Sequence, residues 1–422
     1  MTCGVIRVTM PIGQSTRRRV LKAAGTIGTA GIASLGGCLG GPGAGGGEGG
    51  TIGFANSETG SLDTFGQRNE RGKSLALASI NDVGLRGGEL EVVTEDTQSE
   101  EGPGVEAAQK LVNQDEVPML IGAVSSGVTL SIYKSVIQGS DVAQVSQNST
   151  SPDITGFPDL MRMSPPGAAQ AGIMADLIAE DGHSSVAVAY INNAYGQGIA
   201  EVIRDSFDGE VAYFQPHEQG KSDYSNTVTE MDDADADAWC FITYQPEFAT
   251  LAQNAQSSGY TAPAVYGGDS TKGPQVLEQA PEEFLQDMKV LVPAVDQEAD
   301  NYQEFASRFD DEHDEDPTSW SAYCYDAFVT AAIAIQADDG FIDGESDRLQ
   351  TLKDVTRPEG QEATTFQEAH DVLQDGGGPS DVDYSGVSGP IDLNENGDPA
   401  AVLQLFQVQD GEYVSQRFIA GD

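Results

Sequence analysis

From residue 51 onward, short apolar runs alternate with segments of helical period, and this alternation limits the folds open to the chain. Residues 51–55 read as a strand. Residues 71–81 place Leu75, Leu77, Ala78 and Ile80 at helical spacing. A strand at 89–94, a helix at 104–113, an apolar run at 118–122, a helix at 128–138 and a strand at 142–146 continue the series. The pattern restarts near Ala168, with helices at 168–180, 197–207, 224–232 and 247–257. Strands at 185–190, 210–214, 239–243 and 264–266 fall between and after them. Such alternation predicts an α/β chain of two doubly wound parallel-sheet units. A length of 422 residues is enough for two such cores. Helices at 300–311 and 319–338 follow, and the tail from Gly389 reads as a β-meander. Its hairpin signals are Asn396-Gly397 and Asp410-Gly411.

Charge removes several classes of function. The chain carries 21 Lys and Arg against 67 Asp and Glu, a net charge of -46. That field repels nucleic acid and anionic headgroups, so neither is an expected partner. The acids are spread along the chain, which suits a protein that stays soluble where salt screens charge; a salt-loving source is expected. At molar salt the screening length is about 3 Å. The four histidines stand far apart, and no triad, phosphate loop or zinc pattern is present, so no catalysis, cofactor or metal is expected. Cys240 and Cys324 read as buried free thiols, with a disulfide open if the chain is exported.

The first residues look like an address. Thr16-Arg17-Arg18-Arg19-Val20-Leu21-Lys22 resembles a twin-arginine export signal, with Val20 where Phe is usual. Leu35-Gly36-Gly37-Cys38 then resembles a lipobox, in which the Cys38 sulfur takes the lipid. Residues 1–37 are expected to be a removed signal and 38–50 a Gly-rich tether. The folded part would then sit lipid-anchored on the outer face of the cell membrane. Met10 is an alternative start.

Seven segments, in order, carry a family resemblance. They are 58–66 (ETGSLDTFG), 121–128 (IGAVSSGV), 145–152 (VSQNSTSP), 193–198 (NAYGQG), 266–269 (YGGD), 323–327 (YCYDA) and 392–398 (DLNENGD). Together they resemble the extracellular solute-binding proteins of branched-chain amino acid importers, the type I periplasmic binding family. The resemblance implies two lobes joined by three crossover strands near 166, 293 and 387. Lobe 1 would comprise 51–166 and 294–386, and lobe 2 would comprise 167–293 and 387–422. The implied ligand is an amino acid held between the lobes and passed to a membrane permease by a monomeric receptor. A sensor of the same fold, or a receptor for urea, short amides or aromatic carboxylates, is the alternative. Ser125 and Ser126 are implied to hold the ligand carboxylate, helped by Asn148, Ser149 and Thr150. Asp269, where the family usually has Glu, would pair with the amine. Tyr195, Tyr244 and Trp320 would be aromatic contacts, as would Phe65, where the family often has Tyr.

Other motifs are set aside. Residues 392–397 resemble half a calcium loop, but the twelfth position would be Leu403, so a hairpin turn is expected. His313 among acids reads as a solvated helix end. Asn148-Ser149-Thr150 fits a glycosylation sequon, but its place in the cleft argues against modification.

Overall fold

The computed structural model describes residues 49–261 and 263–420. The signal at 1–37, Cys38 and nearly all of the tether lie outside the described residues. The first sheet holds β1 (Gly50–Asn56), β2 (Leu90–Asp96), β3 (Met119–Gly122), β4 (Ala143–Ser146) and β5 (Leu160–Arg162). Its order is β2-β1-β3-β4-β5, all parallel. Every residue of β3, β4 and β5 is buried, as parallel strands covered on both faces require. Helices α1 (Asp63–Val83), α2 (Glu101–Asn113) and α3 (Ser126–Ile132) connect the strands. The helix expected at 128–138 is α3 running into a π-turn at Tyr133–Ile137.

The chain then builds a second sheet from β6 (Ser185–Ile191), β7 (Glu210–His217), β8 (Ala238–Ile242), β9 (Val265–Gly267) and β10 (Lys289–Pro293). Helix α4 (Gly167–Glu180) leads into β6, and the helices between the strands are α5 (Ala194–Ser206), α6 (Ser225–Asp233), α7 (Gln245–Ser258), α8 (Pro274–Gln279) and α9 (Glu282–Leu285). Next come α10 (Asp300–His313), α11 (Ser319–Ala337), α12 (Arg348–Asp354) and α13 (Phe366–Gln374). A small sheet of β11 (Gln361–Ala363), β12 (Val382–Gly386) and β13 (Gly389–Pro390) sits among these last elements. Finally β14 (Val402–Gln409) and β15 (Glu412–Ala420) join the second sheet, whose order is β15-β14-β10-β9-β8-β6-β7.

The β14 pairings are antiparallel, and the parallel parts of both sheets repeat one winding, in which the first strand lies between the second and the third. The direction of winding across the sheet reverses between β1 and β3, and again between β6 and β8. Such reversals open a crevice beyond the carboxyl ends of the two strands. Helix α11 is buried along almost its whole length and packs on α1. Gly72 permits that approach: a Cβ there would lie 2.6 Å from the Ser321 carbonyl oxygen.

The tail is only partly a meander. Asp410 and Gly411 both take positive φ and close the β14–β15 hairpin, as expected. Asn396-Gly397 does not join paired strands. It closes a short loop in which the Asn394 side chain accepts hydrogen bonds from the Asn396 and Asp398 amides. Cys240 and Cys324 are both buried free thiols.

Candidate functional site

The two crevices contribute to one cavity of about 280 Å³ of atom-free space. Leu62 and Phe65 follow β1, Val124, Ser125 and Ser126 follow β3, and Asn148 and Thr150 follow β4. From the second sheet come Tyr195 after β6, Tyr244 after β8 and Ser270 after β9, while Trp320 enters from the first turn of α11. All these side chains stand where strands stop and helices start, because the winding leaves backbone and side chains free there.

Ser125 occupies the N-cap position of α3, yet its hydroxyl makes no capping bond. It lies 3.0 Å from the Tyr244 hydroxyl instead. The Asn193 amide also donates to Tyr244, at 2.9 Å, and the Asn193 oxygen caps α5 through the Gly196 amide at 3.0 Å. Ser126 accepts from the Ser151 amide at 3.1 Å. Tyr195 and Tyr244 stack with centroids 5.6 Å apart. Phe65 meets Trp320 edge-on at 5.8 Å. The Asn148 amide donates to the Trp320 carbonyl at 3.2 Å, and its oxygen accepts from Asn69 at 2.6 Å. One wall is thus apolar (Leu62, Phe65, Val124, Trp320), and the rest carries hydroxyls and an amide.

Asp269 stands behind the polar side, at Tyr195 and Thr150. Its carboxylate accepts from the Tyr195 hydroxyl at 2.5 Å and from the Thr150 hydroxyl at 3.2 Å. The residue is 1% exposed, and no cation pairs with it among the described residues. Burial holds its carboxyl above the usual range, against the lowering effect of hydrogen bonds from Tyr195, Ser270 and Thr150. Burial and the neighbouring Asp269 push Tyr195 well above a normal phenol, so it stays a donor. A buried carboxylate served only by neutral donors favours a cation brought from outside.

Eight of the ten residues expected at the site line the cavity: Phe65, Ser125, Ser126, Asn148, Thr150, Tyr195, Tyr244 and Trp320. Asp269 reaches it only through Tyr195 and Thr150. Ser149 does not line it: its hydroxyl bonds Thr129 at 2.7 Å and the Ala123 carbonyl at 3.2 Å, which braces the loop after β3. Leu62, Val124 and Ser270 line it unforeseen. Val124 adjoins Ser125, Ser270 adjoins Asp269, and Leu62 falls within the segment 58–66; that proximity was the available signal. A neighbouring chamber shares Ser125 and is walled by Glu100, Glu101 and Glu218, which makes that side of the site attractive to cations.

A family model described as a periplasmic binding protein matches residues 50–412. The chain is 28% identical over 226 residues to Leu/Ile/Val-binding protein homolog 3 of Brucella melitensis, covering 52% of this chain and 61% of that protein. It therefore spans about three fifths of that curated relative. Among solved structures, a leucine-binding protein of Thermotoga maritima superposes with TM-score 0.75 at 22% identity, over 88% of this chain and 99% of the other. The substrate-binding protein of a branched-chain amino acid transporter from Streptococcus pneumoniae, solved with isoleucine, gives TM-score 0.73 at 21% identity. That match covers 88% of this chain and all of the other.

Proposed function

The chain belongs to the periplasmic binding protein family, and on that premise we propose that it is the solute receptor of an ATP-driven importer, with a branched-chain amino acid as its ligand. The two halves, 51–166 with 294–386 and 167–293 with 387–422, act as lobes that close on the ligand as a hinge. The apolar wall takes an aliphatic side chain. Ser125, Ser126 and the amides opening α3 take the carboxylate, and Asp269 with Tyr195 and Thr150 takes the ammonium. Lipid on Cys38 after twin-arginine export holds the monomeric receptor at the outer membrane face, beside its permease. The single observation that carries this reading is the buried Asp269 carboxylate without a cation, behind a cavity of hydroxyl donors and one apolar wall.

The test is a thermal-shift screen of the full chain in molar KCl, against the twenty amino acids, urea, short amides and benzoates, with calorimetry on hits. A ligand at a hundred times its dissociation constant stabilises by about 2.7 kcal/mol. The expected hits are leucine, isoleucine and valine, and Asp269→Asn should abolish them. Binding confined to amides or carboxylates lacking an amine would remove the role given to Asp269. A folded protein that binds nothing in the panel would remove the amino acid assignment.

A further inference from the structure

A second chamber, of about 880 Å³ of atom-free space, lies on the other side of Trp320 and shares only that residue with the amino acid cavity. Its charge is the reverse of the rest of the molecule. Arg68 on α1 and Lys272 after β9 line it, and no Asp or Glu does so among the described residues. Acids outnumber bases 67 to 21 in this chain, so two cations without a lining acid are a local inversion. Three cations in this region, Arg68, Arg71 and Lys272, have one carboxylate nearby, Glu315. It pairs with Arg71 and stands 4.0 Å from the Arg68 Nε. The Lys272 Nζ packs over two rings, 4.3 Å from the Phe406 centroid and 5.1 Å from that of Tyr413. Among the described residues it has neither a carboxylate nor a hydrogen-bond acceptor. Burial first, and then the Arg68 charge, lower its pKa. The rest of the wall mixes an apolar side, with Leu277, Val292, Pro293, Val295 and Phe406, and neutral polar groups from Gln297, Thr318, Ser319 and Gln404.

We propose that this chamber is a second ligand site, distinct from the Asp269 cavity, that takes a compact organic anion: a carboxylate on an apolar or aromatic body. The carboxylate lies between Arg68 and Lys272, where it offsets their repulsion and meets charge-assisted donors on both sides. The body packs on the Phe406, Tyr413 and Trp320 rings. The volume far exceeds what a bare inorganic anion fills.

Benzoate is the probe, titrated into the full chain by calorimetry at fixed ionic strength. The expected result is saturable binding that weakens at least about tenfold in Lys272→Gln and in Arg68→Gln. Lys272→Arg should hold it within a few-fold, and Ser125→Ala with Ser126→Ala should leave it unchanged. Melting curves taken alongside identify any variant that has not folded, and the charge-retaining Lys272→Arg variant then carries the comparison. Benzoate binding lost in the serine variant and kept in Lys272→Gln would place the probe in the amino acid cavity and overturn the proposal. So would the absence of saturable binding to folded protein. The second outcome leaves the reading of the amino acid cavity standing, and the first adds benzoate to the ligands of that cavity; the amine role there is tested separately by Asp269→Asn with amino acids.

Discussion

Asp269 is the residue on which the chemistry of the site turns. Its carboxyl is held above the usual range by burial, so the empty site competes for a proton as the pH falls. An ammonium ligand needs the ionised form. Affinity for an amino acid should therefore be full above the Asp269 pKa and decline as the pH drops through it. Tyr195→Phe removes the donor at 2.5 Å, which raises that pKa further. The expected outcome is a loss of about tenfold to a hundredfold in affinity at neutral pH, with the pH profile moved upward. Calorimetric titrations across pH check both, and an unchanged profile would detach Tyr195 from the carboxylate. Most residues of this site were legible because they end strands and open helices, positions that the alternation itself marks. Ser149 was not separable from its neighbours, since a run of Asn, Ser and Thr offers similar groups and only the fold decides which way each points. Val124 was hidden because an apolar residue just after a strand reads as core, and Leu62 because it stands at the N-cap of α1 without a polar group to mark it.

Among the elements, two buried acids hold the late segments in place. Asp326 on α11 accepts hydrogen bonds from the Tyr384 hydroxyl at 2.7 Å and from the Val387 and Ser388 amides at 3.1 and 2.7 Å. It thereby ties α11 to the β12–β13 turn, and a Cβ at Gly386 would strike its carboxylate at 2.2 Å. Burial lifts its pKa to about 6. A raised carboxyl pKa means that the folded state binds the proton more tightly than the unfolded one. Its stability contribution is therefore complete below the unfolded value and is lost as the pH rises to about 6. Asp326→Asn should flatten the pH dependence of unfolding in that window. It should also cost about 1–3 kcal/mol at neutral pH, because one amide oxygen cannot serve all these donors. Urea titrations at several pH values read both effects. Asp398 does comparable work for the 392–398 loop. Arg162, fully buried on β5, donates to it at 2.6 Å and to the Ser151 carbonyl at 2.8 Å. Arg162→Met leaves a buried carboxylate unpaired and should cost about 3–5 kcal/mol. Adding Asp398→Leu should recover much of that loss, and strictly additive costs in a double-mutant cycle would contradict the pairing. These elements were the least legible. β5 is three residues long and contains a buried Arg whose partner lies 236 residues away. The small sheet, α12 and α13 are short elements in a stretch rich in Asp, Gly and Thr, which reads as loop. Strands β1, β6 and β8 and helix α11 were plain because burial on both faces makes their composition continuous.

At the scale of the whole molecule, the dominant quantity is the net charge of -46. Folding brings those carboxylates closer together than the unfolded chain does, so self-repulsion opposes the compact state. Among the described residues ten ion pairs join a carboxylate to Lys or Arg, and all but Arg162–Asp398 are at least partly open to solvent, where each contributes about 0–1 kcal/mol. They cannot offset an excess of 46 negative charges. Screening can: the Debye length falls from about 10 Å at 0.1 M to about 3 Å at 1 M, shorter than most distances between surface carboxylates. Stability should therefore rise steadily with salt over that range. The cause is separable from specific cation binding by comparing KCl with choline chloride at equal ionic strength. If charge screening is the origin, the two melting curves rise together, whereas a rise in KCl alone would mean specific cation binding at the carboxylates. A Tm independent of both salts would mean that the surface charge, large as it is, lies too far apart to act on the fold.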